Sequence, residues 1–106
     1  MINDNEVFSV WKSVGPTSFE VVSALKKSYK EKIKIGHCGT LDPFAEGVIV
    51  ICTGSKTKII ESIMELKKEY IATISLGFET DSLDLTGEVI KASKVPDIDE
   101  KLINKV

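Results

Sequence analysis

Gly36-His37-Cys38-Gly39-Thr40-Leu41-Asp42-Pro43 leads into the apolar stretch Val48-Ile49-Val50-Ile51-Cys52, which Thr53-Gly54 closes. An apolar, largely β-branched run of this length between turn residues predicts a buried strand. Ahead of it, two glycines bracket a histidine and an aspartate stands directly before a proline. A polar loop feeding a buried strand can hold a reactive side chain at the rim of a rigid scaffold. Taken alone, Asp42 reads first as a turn residue accepting bonds from backbone amides, and only second as such a reactive side chain.

Working outward, Val7-Phe8-Ser9-Val10-Trp11 is β-prone and predicts a first strand, which Gly15-Pro16 breaks. Thr17, with Glu20 three residues on, has the form of a capping box, and Val21, Val22, Leu25 and Tyr29 recur at helical spacing. A helix is therefore expected over 17–30, running into the lysine-rich segment Lys26–Lys34. Those lysines read either as a solvated face completing a helix terminus or as phosphate contacts.

Downstream, residues 55–68 predict a second helix with Ile59, Ile60, Ile63, Met64 and Leu66 as its buried stripe. From Lys68 to Leu76 the pattern alternates, with Tyr70, Ala72, Ile74 and Leu76 on one face, which predicts a half-buried strand. Gly77–Gly87 is an acidic, turn-rich connection, and Glu88-Val89-Ile90-Lys91-Ala92 is its expected hairpin return. Pro96-Asp97, with Glu100 three beyond the aspartate, predicts the start of a third helix whose stripe is Leu102, Ile103 and Val106. A helix whose apolar face has barely begun at the end of the chain is marginal alone. The 106 residues are accordingly expected to be part of a longer protein.

Composition bounds the rest. An apolar share of 42% and a charged share of 28% suit one small soluble globular domain. No apolar run approaches membrane-spanning length, and Met1–Glu6 lacks the features of a secretory signal. Two cysteines do not form a disulfide framework, so a reduced, cytoplasmic setting is expected. His37, the only histidine, makes no tetrahedral metal set with Cys38 and Cys52, and no metal is expected. Gly54-Ser55-Lys56-Thr57 lacks the glycine directly before lysine that a phosphate-binding P-loop requires, so no nucleotide cofactor is expected. Net charge is −2 and all 14 cationic residues are lysines. A chain with no arginine and no basic excess does not have the charge of a typical RNA-binding domain.

The motifs nevertheless resemble those of TruB-type tRNA pseudouridine synthases. The loop is similar to that family's G-H-x-G-x-L-D-P block. Trp11-Lys12-Ser13-Val14-Gly15-Pro16-Thr17-Ser18 resembles its K-P-x-G-x-T-S block, with Ser13 in place of the proline. Gly54-Ser55-Lys56-Thr57-Lys58 is similar to G-x-x-T-K and Lys68-Glu69-Tyr70 to K-x-Y. Leu76-Gly77 with Thr80-Asp81, Asp84 and Gly87 resembles a family hairpin. The five ordered blocks reach from Val7 to about Val95.

The resemblance implies an α+β fold, a mixed and largely antiparallel sheet flanked by helices, with this chain the N-terminal portion of the catalytic domain. The remainder of that domain and any C-terminal RNA-binding domain would lie outside it. It implies isomerisation of a T-loop uridine of tRNA to pseudouridine, without metal or organic cofactor. Asp42 becomes the catalytic carboxylate, Tyr70 the aromatic that stacks on the base, and His37 the residue that fills the gap left by the extruded nucleotide. Lys12, Gly39, Thr40 and Leu41 join them as substrate contacts. Tyr70 can also be an ordinary core-facing aromatic, and a lone loop histidine is often structural. The partner expected is the tRNA T-stem loop, with a monomer favoured. The resemblance also implies an arginine paired with the aspartate, which must lie elsewhere because this chain has none. A truncated relative that binds or chaperones RNA without chemistry is the alternative.

Overall fold

The computed structural model describes residues 5–105, which form two compact units meeting at Glu69 and Tyr70. No linker composition marks this division in the sequence.

The first unit is an antiparallel sheet of three strands, β1 (Val7–Lys12), β2 (Ile35–His37) and β3 (Gly47–Thr53), in the order β1-β3-β2. β3 takes the centre because it is apolar on both faces, and from Ile49 to Thr53 it is buried or half-buried. The register Phe8↔Ile51 and Val10↔Ile49 puts Phe8, Val10, Ile49 and Ile51 on one face. The helix α1 (Ser18–Ser28) covers that face through Val22 and Leu25, and Ile35 and Leu41 complete the core. On the opposite face Gly36 pairs with Cys52, and a Cβ at Gly36 would come within 2.9 Å of Ile60 Cδ1. The segment after β3 therefore lies against that end, whereas Trp11 and its cross-strand neighbour Val48 remain exposed.

The first strand and the central strand appear where the sequence puts them. α1 begins as expected, with Thr17 Oγ1 accepting from the Glu20 amide at 3.0 Å, and it ends at Ser28. The expected 55–68 helix is reduced to a 3₁₀ turn, Gly54–Ile59, and a five-residue helix α2 (Ile60–Met64). The Thr57 hydroxyl donates to the Gly54 carbonyl at 2.8 Å, an i to i+3 bond that favours the tighter turn. Its stripe is not buried: Ile60 and Ile63 are half-buried, while Ile59, Met64 and Leu66 are exposed.

The second unit is a hairpin and a short helix. β4 (Phe78–Thr80) pairs antiparallel with β5 (Val89–Ala92), with a bulge between Glu79 and Thr80. The hairpin's first arm thus lies inside the segment read as connection, and residues 68–76 form no strand. Alternation alone cannot make a strand, because a ladder needs a partner, and none of the described residues pairs with this stretch. The hairpin loop is organised by Asp84 Oδ1, which accepts from the Ser82 and Thr86 hydroxyls and the Thr86 amide. The Ser82 bond first, then those from Thr86, hold the Asp84 carboxyl below its usual range. α3 (Glu100–Lys105) is capped by Asp99, which accepts from the Leu102 amide at 2.9 Å, rather than by Asp97. Asp99 sits directly before the first helical residue, whereas Asp97 is two positions too early to reach those amides. Val106 lies outside the described residues. Among the described residues no helix is long and apolar enough to cross a membrane.

Candidate active site

The loop between β2 and β3 carries Asp42, and its main chain is tied down from three directions. Lys12 is the last residue of β1, on the core face opposite Gly47, and it is 0% exposed. Its ammonium donates to the carbonyls of Ser13 at 2.8 Å, Ala45 at 2.7 Å and Pro43 at 3.3 Å. An ammonium has three protons, so this cage accounts for all of them and lets a buried cation be tolerated. The Gly15 amide donates to the same Pro43 carbonyl at 2.7 Å.

Ser18, 2% exposed in the first turn of α1, holds the residue that precedes Asp42. Its hydroxyl accepts from the Leu41 amide at 2.9 Å and donates to the Leu41 carbonyl at 3.1 Å. Within the loop the Ala45 amide closes a turn onto the Asp42 carbonyl at 3.0 Å. Lys12, Gly15 and Ser18 all belong to the 11–18 block, so that block's local task is to fix the backbone on both sides of Asp42.

The consequence is a charged side chain on an immobilised main chain. Asp42 is exposed, as are Thr40 and Pro43, while Leu41 turns its side chain toward the core. Gly39 has φ of +121° with nothing within 4 Å of where a Cβ would stand, so backbone conformation rather than space requires glycine there. His37 is half-buried, and its Nδ1 is 2.8 Å from the Gly39 carbonyl. Since a carbonyl only accepts, Nδ1 carries the hydrogen and Nε2 remains an acceptor whenever the ring is neutral.

His37, the last residue of β2, and Gly39, Thr40, Leu41 and Asp42 on the loop that follows are therefore brought together, so the segment read as loop from Gly36 onward begins as a strand. Lys12 is adjacent but enclosed, so it faces the loop's backbone and not solvent. Tyr70 belongs to the second unit and is 69% exposed. Ser18 was legible as a motif residue, but no pattern in the sequence announces a hydroxyl bridging both backbone polar groups of one residue. Among the described residues no cluster of three or more His, Cys, Asp or Glu side chains could hold a metal ion. An open depression in the second unit, lined by Leu76, Phe78, Val95 and Ile98 among others, contains no residue of this loop.

Comparison with known proteins places the loop in a family. Residues 26–106 match the model described as TruB family pseudouridylate synthase (N terminal domain). The chain is 42% identical over 100 residues to a protein of Clostridium acetobutylicum named tRNA pseudouridine synthase B, a stretch covering 94% of this chain and 34% of that protein. Proteins of the same name from Clostridium perfringens (49% identical over 87 residues, covering 82% of this chain and 29% of the relative) and Staphylococcus saprophyticus (46% over 104, covering 96% and 34%) are similar. The chain thus spans about a third of the length of these relatives. With the family model matching most of its length and relatives 42–49% identical over most of the chain, this chain belongs to the TruB family of pseudouridylate synthases.

Proposed function

We propose that the protein of which this chain forms the N-terminal catalytic part converts the T-loop uridine of tRNA to pseudouridine. The reading rests above all on Asp42, an exposed carboxylate on a loop whose backbone is clamped by Lys12, Gly15 and Ser18. The relatives' name, tRNA pseudouridine synthase B, supplies the substrate class.

The reaction breaks the glycosidic bond between N1 of uracil and C1′ of ribose, turns the base, and joins C5 to C1′. The hydrogen on C5 then leaves as a proton, and N1, freed from the sugar, takes one up, so that the product is an isomer of the substrate. Only one ionised carboxylate is required, to support the sugar carbon as the bond breaks, much as carboxylates do in glycoside cleavage. In this reading Asp42 is that group, and the fixed loop limits the reorganisation needed when charge develops. Tyr70 offers an exposed aromatic ring to stack on the extruded base, an interaction worth roughly 1–3 kcal/mol. His37 occupies the space that the base leaves, offsetting part of the few kcal/mol of unstacking. Thr40 and the Gly39 backbone line the approach. Lys12 acts on the loop from inside. tRNA modification of this kind belongs in the cytoplasm.

The chain has no arginine to pair with the carboxylate and spans about a third of its relatives. The full-length protein is therefore expected to release the uracil C5 hydrogen from a T-stem-loop RNA, and the 106-residue piece to release little or none. Robust turnover by the isolated piece would contradict the division of labour proposed here. A full-length protein that binds the RNA without turning it over would favour the RNA-binding alternative.

A further inference from the structure

The two cysteines meet. Cys38 follows His37 at the start of the Asp42 loop, and Cys52 lies near the end of β3; their sulfurs are 3.5 Å apart and both thiols are free. The ladder explains the encounter. Cys52 pairs with Gly36, and the Cys38 amide donates to the Val50 carbonyl at 2.8 Å, so the two cysteines are diagonal neighbours on one face. Gly36, the residue directly opposite Cys52, has no side chain to come between the sulfurs. Ile60 covers the position, and Cys38 and Cys52 are 8% and 0% exposed.

We propose that Cys38 and Cys52 are a redox pair that closes to an intramolecular disulfide and, in doing so, shifts the root of the Asp42 loop. Closure removes one hydrogen from each thiol and two electrons in all, which a two-electron oxidant such as a peroxide or an azodicarboxamide accepts. The first thiolate is oxidised, the second displaces the leaving group, and one S–S bond forms. The sulfurs must move from 3.5 Å to the disulfide distance of about 2.05 Å. β3 is the central strand and does not yield, so the displacement falls on Cys38, four positions before Asp42. The loop beyond is pinned at Leu41, Pro43 and Ala45. The shift is therefore absorbed between Cys38 and Thr40, where the His37 to Gly39 contact and the positive φ of Gly39 lie.

Both thiols are free and buried, which keeps them from ready reaction. Burial first, and then the neighbouring Cys52 sulfur, push the Cys38 thiol up to about 11. Thiol exchange and oxidation run through the thiolate, so closure is slow until the cover over the pair opens. This suits a response to sustained oxidation rather than a catalytic disulfide.

The inference that closure affects turnover rests on the proposed synthase function, but the bond and the loop shift can be read without it. Full-length protein is treated with diamide, and its peptides are mapped by mass before and after dithiothreitol. Hydrogen exchange of residues 37–46 and turnover of T-stem-loop RNA are followed on the same samples. A 38–52 disulfide is expected, two hydrogens lighter, with altered exchange in 37–46 and a severalfold loss of turnover that dithiothreitol restores. Cys38→Ala should show none of these responses. Failure of the bond to form, or its formation with exchange in 37–46 unchanged, overturns the proposal. An altered exchange pattern in protein that never turns over RNA would instead sink the functional reading and leave the redox pair standing.

Discussion

Lys12 and Asp42 carry opposite charges on neighbouring segments, yet they are put to different uses. The lysine was expected among the substrate contacts, but its ammonium is enclosed by three backbone carbonyls and the aspartate is left in the open. Replacing the cation therefore strips the Ser13 and Ala45 carbonyls of their donor and leaves the Pro43 carbonyl with the Gly15 amide alone. Lys12→Met is expected to destabilise the full-length protein by about 3 kcal/mol in chemical denaturation, the scale for losing charge-assisted bonds in a buried site. Affinity for T-stem-loop RNA measured under folding conditions should stay near that of the parent, because the ammonium does not face a ligand. A large loss of affinity with unchanged stability would mean that Lys12 reaches the RNA after all.

At the scale of elements, the first turn of α1 does two things. Thr17 caps the helix through the Glu20 amide, and Ser18, one residue on, turns inward to hold Leu41. Ser18→Ala removes both bonds to Leu41 and leaves that residue's amide and carbonyl without that partner. A loss of about 1–3 kcal/mol is expected from leaving buried polar groups unmatched, measurable as a lowered denaturation midpoint, and turnover should fall more than RNA affinity. Unchanged stability and turnover would contradict the clamp.

The same elements divide what was legible in the sequence from what was not. β1, α1 and β3 are written in local signals: β-branched runs, a capping threonine, a Gly-Pro break. The residues of the Asp42 loop were readable because motif and loop coincide. The 68–76 stretch failed because period-two alternation reports which side chains could share a face, not whether a neighbouring strand exists. The second helix failed similarly, since the stripe read as buried is left exposed at Ile59, Met64 and Leu66. Lys12's enclosure is a tertiary fact that no local pattern encodes.

Across the whole chain, burial is concentrated in the first unit. Among the described residues every buried one, from Lys12 to Thr53, lies there, and none from Tyr70 to Lys105 is buried. Ile71 is 95% and Ile74 75% exposed. Local stability follows buried apolar contact. In the 106-residue piece, amides of β3 should be the slowest to exchange and those of residues 65–77 among the fastest, with proteolysis beginning there. Protection of 68–76 equal to that of β3 would show that the stretch has a strand partner in this chain.

The account turns on the Asp42 carboxylate, and an isosteric change tests it with least disturbance. Asp42→Asn in the full-length protein keeps the Asp42 carbonyl that closes the turn onto Ala45 and removes only the side chain's charge. Release of the uracil C5 hydrogen from T-stem-loop RNA should fall by about a thousandfold or more, with RNA affinity within roughly threefold of the parent. Turnover within about tenfold of the parent would contradict the account, since a group that can be neutralised so cheaply does not carry the reaction.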